Sequence, residues 1–239
     1  MKKLLLSWTA ILASSFFLAP AQGADAPKSD KPLKIGIIGT GDIGGALARH
    51  WARAGHELVI SSRHPEQLQG LAKELGSKVR VGTPREAAAF GEVVLVSVPY
   101  HATPQVGRDY ARELEGKVVL DTGNPYPSRD GEMAVRDRQR GTGVASKEYL
   151  PGTKLVRAFN AINAGPLTNE ANRKPERIGI PLASDYPEAL EVAARLVTDA
   201  GFDPVVVGGL SRAREFDYGT AVYVRSYSAA KVREILELE

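Results

Sequence analysis

Apolar positions along the chain fall into short continuous runs, separated by stretches in which they recur at helical spacing. Lys34–Ile38 is the first such run, and Leu58–Ser61, Val79–Val81, Glu92–Pro99, Lys117–Pro125, Lys154–Ile162, Arg177–Ser184 and Phe202–Gly209 repeat it. Within Glu92–Pro99 no polar alternation interrupts "VVLV", and Gly91 and Pro99 bound the run, as expected of a strand covered on both faces. Between the first two runs Ile43, Leu47 and Trp51 give Asp42–Ala54 a helical face, and Gly55 is placed to end the helix. Pro65–Leu75 and Thr83–Phe90 read as two more helices. Strands alternating with helices predict an α/β fold, a Rossmann-type, doubly wound and mainly parallel sheet in a single domain.

Residues 1–32 do not share this pattern. "MKKLLLSWTAILASSFFLAPAQGADA" runs from two lysines through an apolar stretch to small residues, the three-part plan of a secretory signal peptide. The expectation is a signal at 1–23, with Ala21 and Gly23 flanking one cut and Ala24 and Ala26 another, then a polar linker at 24–32 and a nucleotide-binding domain at 33–239. Export to the periplasm or the medium follows; an uncleaved anchor, or a cytoplasmic protein if the signal does not function, is the alternative. No later run approaches the 18 apolar residues of a membrane span.

Charge excludes one class of partner. The formal charge of +3 includes Lys2 and Lys3, and without them 29 basic residues face 28 acidic ones, which is no nucleic-acid footprint. The absence of cysteine excludes disulfides, thiolate metal sites and cysteine nucleophiles.

The first strand leads directly into Gly39-Thr40-Gly41-Asp42-Ile43-Gly44, and that GxGxxG leads directly into the first helix. In this setting Gly39 makes the tight turn, Gly41 lets a pyrophosphate approach the backbone, and Gly44 lets helix and strand pack closely. The amides and positive end of the helix then bind phosphate without a lysine. An NAD binder would carry a carboxylate at the end of the second strand. Here Ser61, Ser62 and Arg63 stand 22 to 24 residues after Gly39, a set that repels no phosphate and offers charge-assisted bonds to one. The predicted cofactor is NADP(H); a polar strand end capping the helix at Pro65 is the plainer alternative.

"KIGIIGTGDIGGALARHWARAGHELVISSR", "VVLDTGNPY", "LPGTKLVRAFNAI" and "AGFDPVVVGGLSRAREF" together resemble the NADP oxidoreductase family that reduces the deazaflavin coenzyme F420, whose domain is also similar to the cytosolic reductase part of metal-reducing membrane proteins. The resemblance implies hydride transfer between NADPH and a deazaflavin, flavin or quinone-like acceptor. It matches Gly39, Thr40, Gly41, Asp42, Ile43, Ser62, Arg63, Val98 and Pro99 to cofactor contacts, puts Asn160 and Ala161 near the nicotinamide, and implies a homodimer. An exported nucleotide-binding protein that has kept the fold but lost turnover is the second reading.

Hydride transfer needs orientation and exclusion of water more than an acid or base, and no triad is expected. By topology His101 faces the nicotinamide side, as a proton donor or stacking group, and Tyr100 shares that expectation. The other histidines form no metal pattern. Asp121 and Asn124 fix a turn at a strand end. The charged excursion Tyr126–Gly143, at the carboxyl edge of a strand, is a substrate lid or a solvated loop. Tyr227 and Lys231 spell YxxxK, but late in the chain and within the last predicted helix, so they are set aside.

Overall fold

In the computed structural model, which describes residues 31–239, β1 (Lys34–Ile38) pairs in parallel with β2 (Glu57–Ser61) on one side and β4 (Val93–Val96) on the other. β3 (Val79–Val81) extends the sheet beyond β2, and β5 (Val118–Asp121), β6 (Lys154–Arg157), β7 (Gly179–Ala183) and β8 (Asp203–Gly208) extend it beyond β4. The order is therefore β3-β2-β1-β4-β5-β6-β7-β8. All pairs are parallel except β6 with β7, which meet antiparallel at Arg157 and Ala183. The predicted Rossmann-type, mainly parallel α/β sheet is the fold found.

Both faces of the sheet are covered, which is why the strands read as continuous apolar runs. Ile35, Ile37, Leu58, Ile60 and Leu95 point to one core with Trp51, while Ile38, Val59, Val94, Val96 and Val119 point to the other. The crossovers are α1 (Asp42–Arg53), α2 (Gln69–Leu75), α3 (Pro84–Phe90), α4 (Thr103–Asp109) and α5 (Ala111–Leu114) in the first half. The second half contributes α6 (Pro127–Arg140), α7 (Thr142–Tyr149), α8 (Ala164–Asn169), α9 (Pro187–Asp199) and α10 (Ala229–Ile235). A capping box starts α3, with the Thr83 hydroxyl accepting from the Glu86 amide and Glu86 accepting from the Thr83 amide.

Three expectations need correction. Tyr126–Gly143 is not a loop: Pro127–Arg140 folds as α6, broken at Gly131 where φ is +62°, and Thr142 already opens α7, because Ala134, Asp130 and Asp137 turn inward on one side of a charged stretch. The run Lys154–Ile162 stops being strand at Arg157, and Phe159 then takes a left-handed φ of +58°. Tyr227 precedes α10, whose N-cap is Ser228, so YxxxK is not one helical face. The signal-peptide expectation for 1–23 lies outside the described residues. Among the described residues no helix is long and apolar enough to cross a membrane.

Candidate active site

The sheet order reverses between β1 and β4, and ligands of open α/β sheets bind at the carboxyl ends of strands at such a point. There the glycine loop turns into α1. Gly39 has a φ of +97°, and a side chain on it would come within 2.2 Å of the Ser97 carbonyl oxygen. A side chain on Gly44 would meet the Gly39 carbonyl oxygen at 2.1 Å. At Gly41 a methyl would meet nothing within 4 Å, so the loop is open where a phosphate must approach. No side chain caps the N-terminus of α1, which leaves its first amides for a ligand. The loop is pinned from behind: the Gly39 and Thr40 amides and the Thr40 hydroxyl all donate to the Ser61 carbonyl.

Two cavities meet at this loop and share Gly41, Ser97, Val98 and Pro99. The first, of about 440 Å³, runs past Thr40, Ser62, Arg63, Leu68 and His101. The Ser62 hydroxyl accepts from the His64 amide and keeps its own proton to donate. Arg63 is exposed and has no carboxylate partner among the described residues. The second cavity, of about 430 Å³, passes Asp42 and Ile43 to Asn124, Tyr126, Arg129, Asn160 and Tyr223.

Most of the predicted residues are brought together, and four are not used as expected. Ser61 is fully buried and its hydroxyl donates to the Ile37 carbonyl at 2.7 Å, so only Ser62 and Arg63 of the trio reach the cavity. Tyr100 is also fully buried, its hydroxyl 3.4 Å from Asp137 and its ring against Tyr149; burial and the charges of Asp121 and Asp137 raise its pKa. It is a core residue. His101 opens onto the first cavity with Arg63, not onto the second with Asn160, because its Nδ1 lies 2.8 Å from Asp130 Oδ1. Ala161 packs its side chain with Val205, Phe216 and Val222 behind the second cavity and offers only its carbonyl, which the Val224 amide takes.

Asp130 ties α6 to the turn that carries His101. Burial opposes its ionisation, but hydrogen bonds from Arg129, the Tyr126 amide and His101 prevail and hold its carboxyl at about 2. Asp121 behaves as the sequence predicts, with Oδ1 accepting from the Gly123 amide.

The spacing of motifs did not single out the buried network behind the second cavity. Arg157 is fully buried and donates to Asp121 Oδ2 at 2.8 Å and Asp217 Oδ1 at 3.1 Å. Burial disfavours its charge, and the two carboxylates more than restore it. Asp217 in turn lies 3.4 Å from Asn160 Nδ2, and the Asn160 carbonyl accepts from Asn124 Nδ2. The side-chain oxygens of Asn124 and Asn160 remain buried acceptors with no donor among the described residues. Also missed was an aromatic wall: Tyr126 and Tyr223 share a hydrogen bond between their hydroxyls, and the Tyr218 ring stands edge-on to both at 5.2 and 5.3 Å. The signal for the network was a charged residue inside the otherwise apolar "KLVRAF"; these tyrosines gave none, being distant in sequence.

The fold and the glycine cradle define a dinucleotide-binding protein of the Rossmann class, and comparison with known proteins narrows it. The family described as NADP oxidoreductase coenzyme F420-dependent matches residues 34–125. An F420-dependent NADP reductase of Methanothermobacter thermautotrophicus is 32% identical over 215 residues, covering 84% of this chain and 92% of that protein. Metalloreductase STEAP3 of Rattus norvegicus is 28% identical over 225 residues, covering 92% of this chain but 42% of that protein. The crystal structure of a hypothetical protein from Sinorhizobium meliloti shares the fold with a TM-score of 0.70 at 24% identity, covering 80% of this chain and 93% of that one. The chain belongs to the NADP oxidoreductase coenzyme F420-dependent family and is an NADP(H)-dependent oxidoreductase.

Proposed function

We propose that this chain passes hydride from NADPH to a planar ring acceptor of the deazaflavin or flavin class, held in the second cavity. The observation that carries the reading is the junction of two cavities at Gly41, Val98 and Pro99, one leading to Arg63 and the other to the tyrosine wall. The loop Gly39–Ile43 and the amides opening α1 hold the pyrophosphate, and Ser62 and Arg63 hold the 2′-phosphate. When bound, NADPH supplies a hydride from its reduced nicotinamide.

The remaining work belongs to the protein. Asn124 and Asn160 brace the wall of the second cavity, Asn124 Nδ2 donating to the Asn160 carbonyl at 2.8 Å, and a wall held this way would orient a ring laid against it. Two phenols that share one hydrogen bond have a second hydroxyl proton to give, and Tyr126 and Tyr223 offer it to an acceptor carbonyl in the cavity. Burial and the bond to Tyr126 raise the Tyr223 pKa, which keeps it a donor. The Arg129 guanidinium, held by both oxygens of Asp130, lies over Tyr126 at 5.0 Å and steadies that side of the cavity.

The test is NADPH oxidation by the purified protein with deazaflavin F420, FMN, riboflavin and menadione, with ferric citrate as the non-ring comparison. Turnover with ring acceptors, weakened by Tyr223→Phe, is the expected result. No turnover with any ring would refute the reading. Export and a homodimer belong to the same proposal: fractionation of cells producing the C-terminally tagged chain checks the first, and light scattering on the purified protein checks the second.

A further inference from the structure

The first cavity does not end where Ser62 and Arg63 stand. It also passes Leu68 on the Pro65–Leu68 turn, Pro84 at the start of α3, Gln105, Val106 and Asp109 on α4, and Tyr110 just after it. Leu68 and Val106 are buried, and with Pro84 they give this stretch an apolar lining that the face of a purine can cover. The 2′-phosphate of NADP(H) sits on the ribose that carries the adenine. With that phosphate at Ser62 and Arg63 and the pyrophosphate on the glycine loop, the adenine is left with the stretch that α4 lines.

One group in that stretch is out of place in a site for a polyanion. Asp109 is the one carboxylate on the cavity's lining, and it forms no ion pair among the described residues. The nearby guanidinium groups are turned elsewhere: Arg85 donates to Glu113 and to the main-chain carbonyl of Asp109, and Arg108 donates to Gln105 Oε1 at 2.7 Å. Asp109 is also the last residue of α4, where the helix dipole disfavours negative charge. Its Oδ1 accepts from Gln105 Nε2, one helical turn back, and its Oδ2 has no donor among the described residues. Nothing in the fold rewards the charge, so its donor is to be sought in the ligand.

We propose that Asp109 reads the 6-amino group of the adenine and is a specificity-determining residue for the base of the cofactor. Once joined to its ribose, adenine has a single N–H donor group, the 6-amino group, and a carboxylate oxygen is the acceptor that suits it. Gln105 is a positioning residue: by holding Oδ1 it leaves Oδ2 to the base. A base with oxygen at position 6 turns an acceptor toward the carboxylate and is disfavoured. The inference rests on the reading that Ser62 and Arg63 hold the 2′-phosphate.

The experiment compares NADPH with reduced nicotinamide hypoxanthine dinucleotide phosphate, which carries oxygen in place of the 6-amino group. Binding of each to the full protein is read from the fluorescence of the reduced nicotinamide, which both share. NADPH is expected to bind about fivefold tighter, the size of one charge-assisted hydrogen bond weakened by solvent. Asp109→Ala should bring the two Kd values together, and so should Asp109→Asn, whose amide accepts from an amino group or donates to an oxygen equally well. Arg63→Ala should weaken both nucleotides and keep their ratio, because both carry the 2′-phosphate. Equal affinity of the unaltered protein for the two nucleotides, or a ratio that survives Asp109→Ala, overturns the assignment of Asp109. The two readings fail separately: the ratio of the Kd values tests Asp109, whereas an Arg63→Ala variant that leaves both Kd values unchanged overturns the phosphate reading alone.

Discussion

Replacing Arg63 with alanine separates phosphate recognition from nucleotide recognition in general. Arg63 stands at the mouth of the first cavity beside Ser62, exposed and without a carboxylate partner among the described residues, so its removal breaks no internal bond. Charge-assisted hydrogen bonds to a phosphate contribute about 1.5–3 kcal/mol, and solvent exposure reduces this to about 1–2 kcal/mol here. The Kd for NADPH should therefore rise by about 5- to 30-fold. NADH carries no 2′-phosphate, and its Kd should stay within about twofold. Quenching of intrinsic fluorescence on titration with each nucleotide reads both values. An equal loss for the two nucleotides would mean that Arg63 only shapes the loop, and no loss for NADPH would refute phosphate recognition by "SSR".

The other expectations concern the scaffold. Gly44→Ala drives a methyl to 2.1 Å from the Gly39 carbonyl oxygen, so urea denaturation should show a loss of about 1–3 kcal/mol. Gly45→Ala, one residue on, meets nothing within 4 Å and should gain about 0.5–1 kcal/mol from the stiffer helix. Arg157→Met strands two carboxylates, Asp121 fully buried and Asp217 close to it, and should cost about 3–5 kcal/mol in the same assay. Asp130 is held at about 2 against an ordinary 3.8, so its stabilisation is complete above that ordinary value and is lost as pH falls through about 2. Asp130→Asn should flatten the acid limb of the stability curve by on the order of 2 kcal/mol, measured as Tm against pH.

The sheet was legible because a parallel strand covered on both faces leaves no polar position, and "KIGII", "VVLV" and "VVLD" obey that rule. The glycine loop was legible because each glycine answers a local need, a positive φ or a close approach, that spacing reveals. What sequence could not supply was direction. Ser61 and Ser62 are neighbours on an extended chain, so one faces the core and the other the cavity, and the trio "SSR" reads as one patch only on paper. Tyr100 and His101 also divide between core and cavity, here on the short helical turn Tyr100–Ala102. Tyr126–Gly143 read as a substrate lid or a solvated loop because its charges hide two inward aspartates, Asp130 and Asp137, each paired with an adjacent arginine. The tyrosine wall joins residues 126, 218 and 223 only through the tertiary fold.

The most direct test of the central claim is a single turnover of the protein with NADPH deuterated at the transferred position and deazaflavin F420 as acceptor, analysed by mass spectrometry. Hydride passed directly between rings seated in the two joined cavities places the deuterium on the ring carbon of the reduced acceptor, where it does not exchange with water. Label found in solvent, or NADPH left unoxidised, would contradict the account.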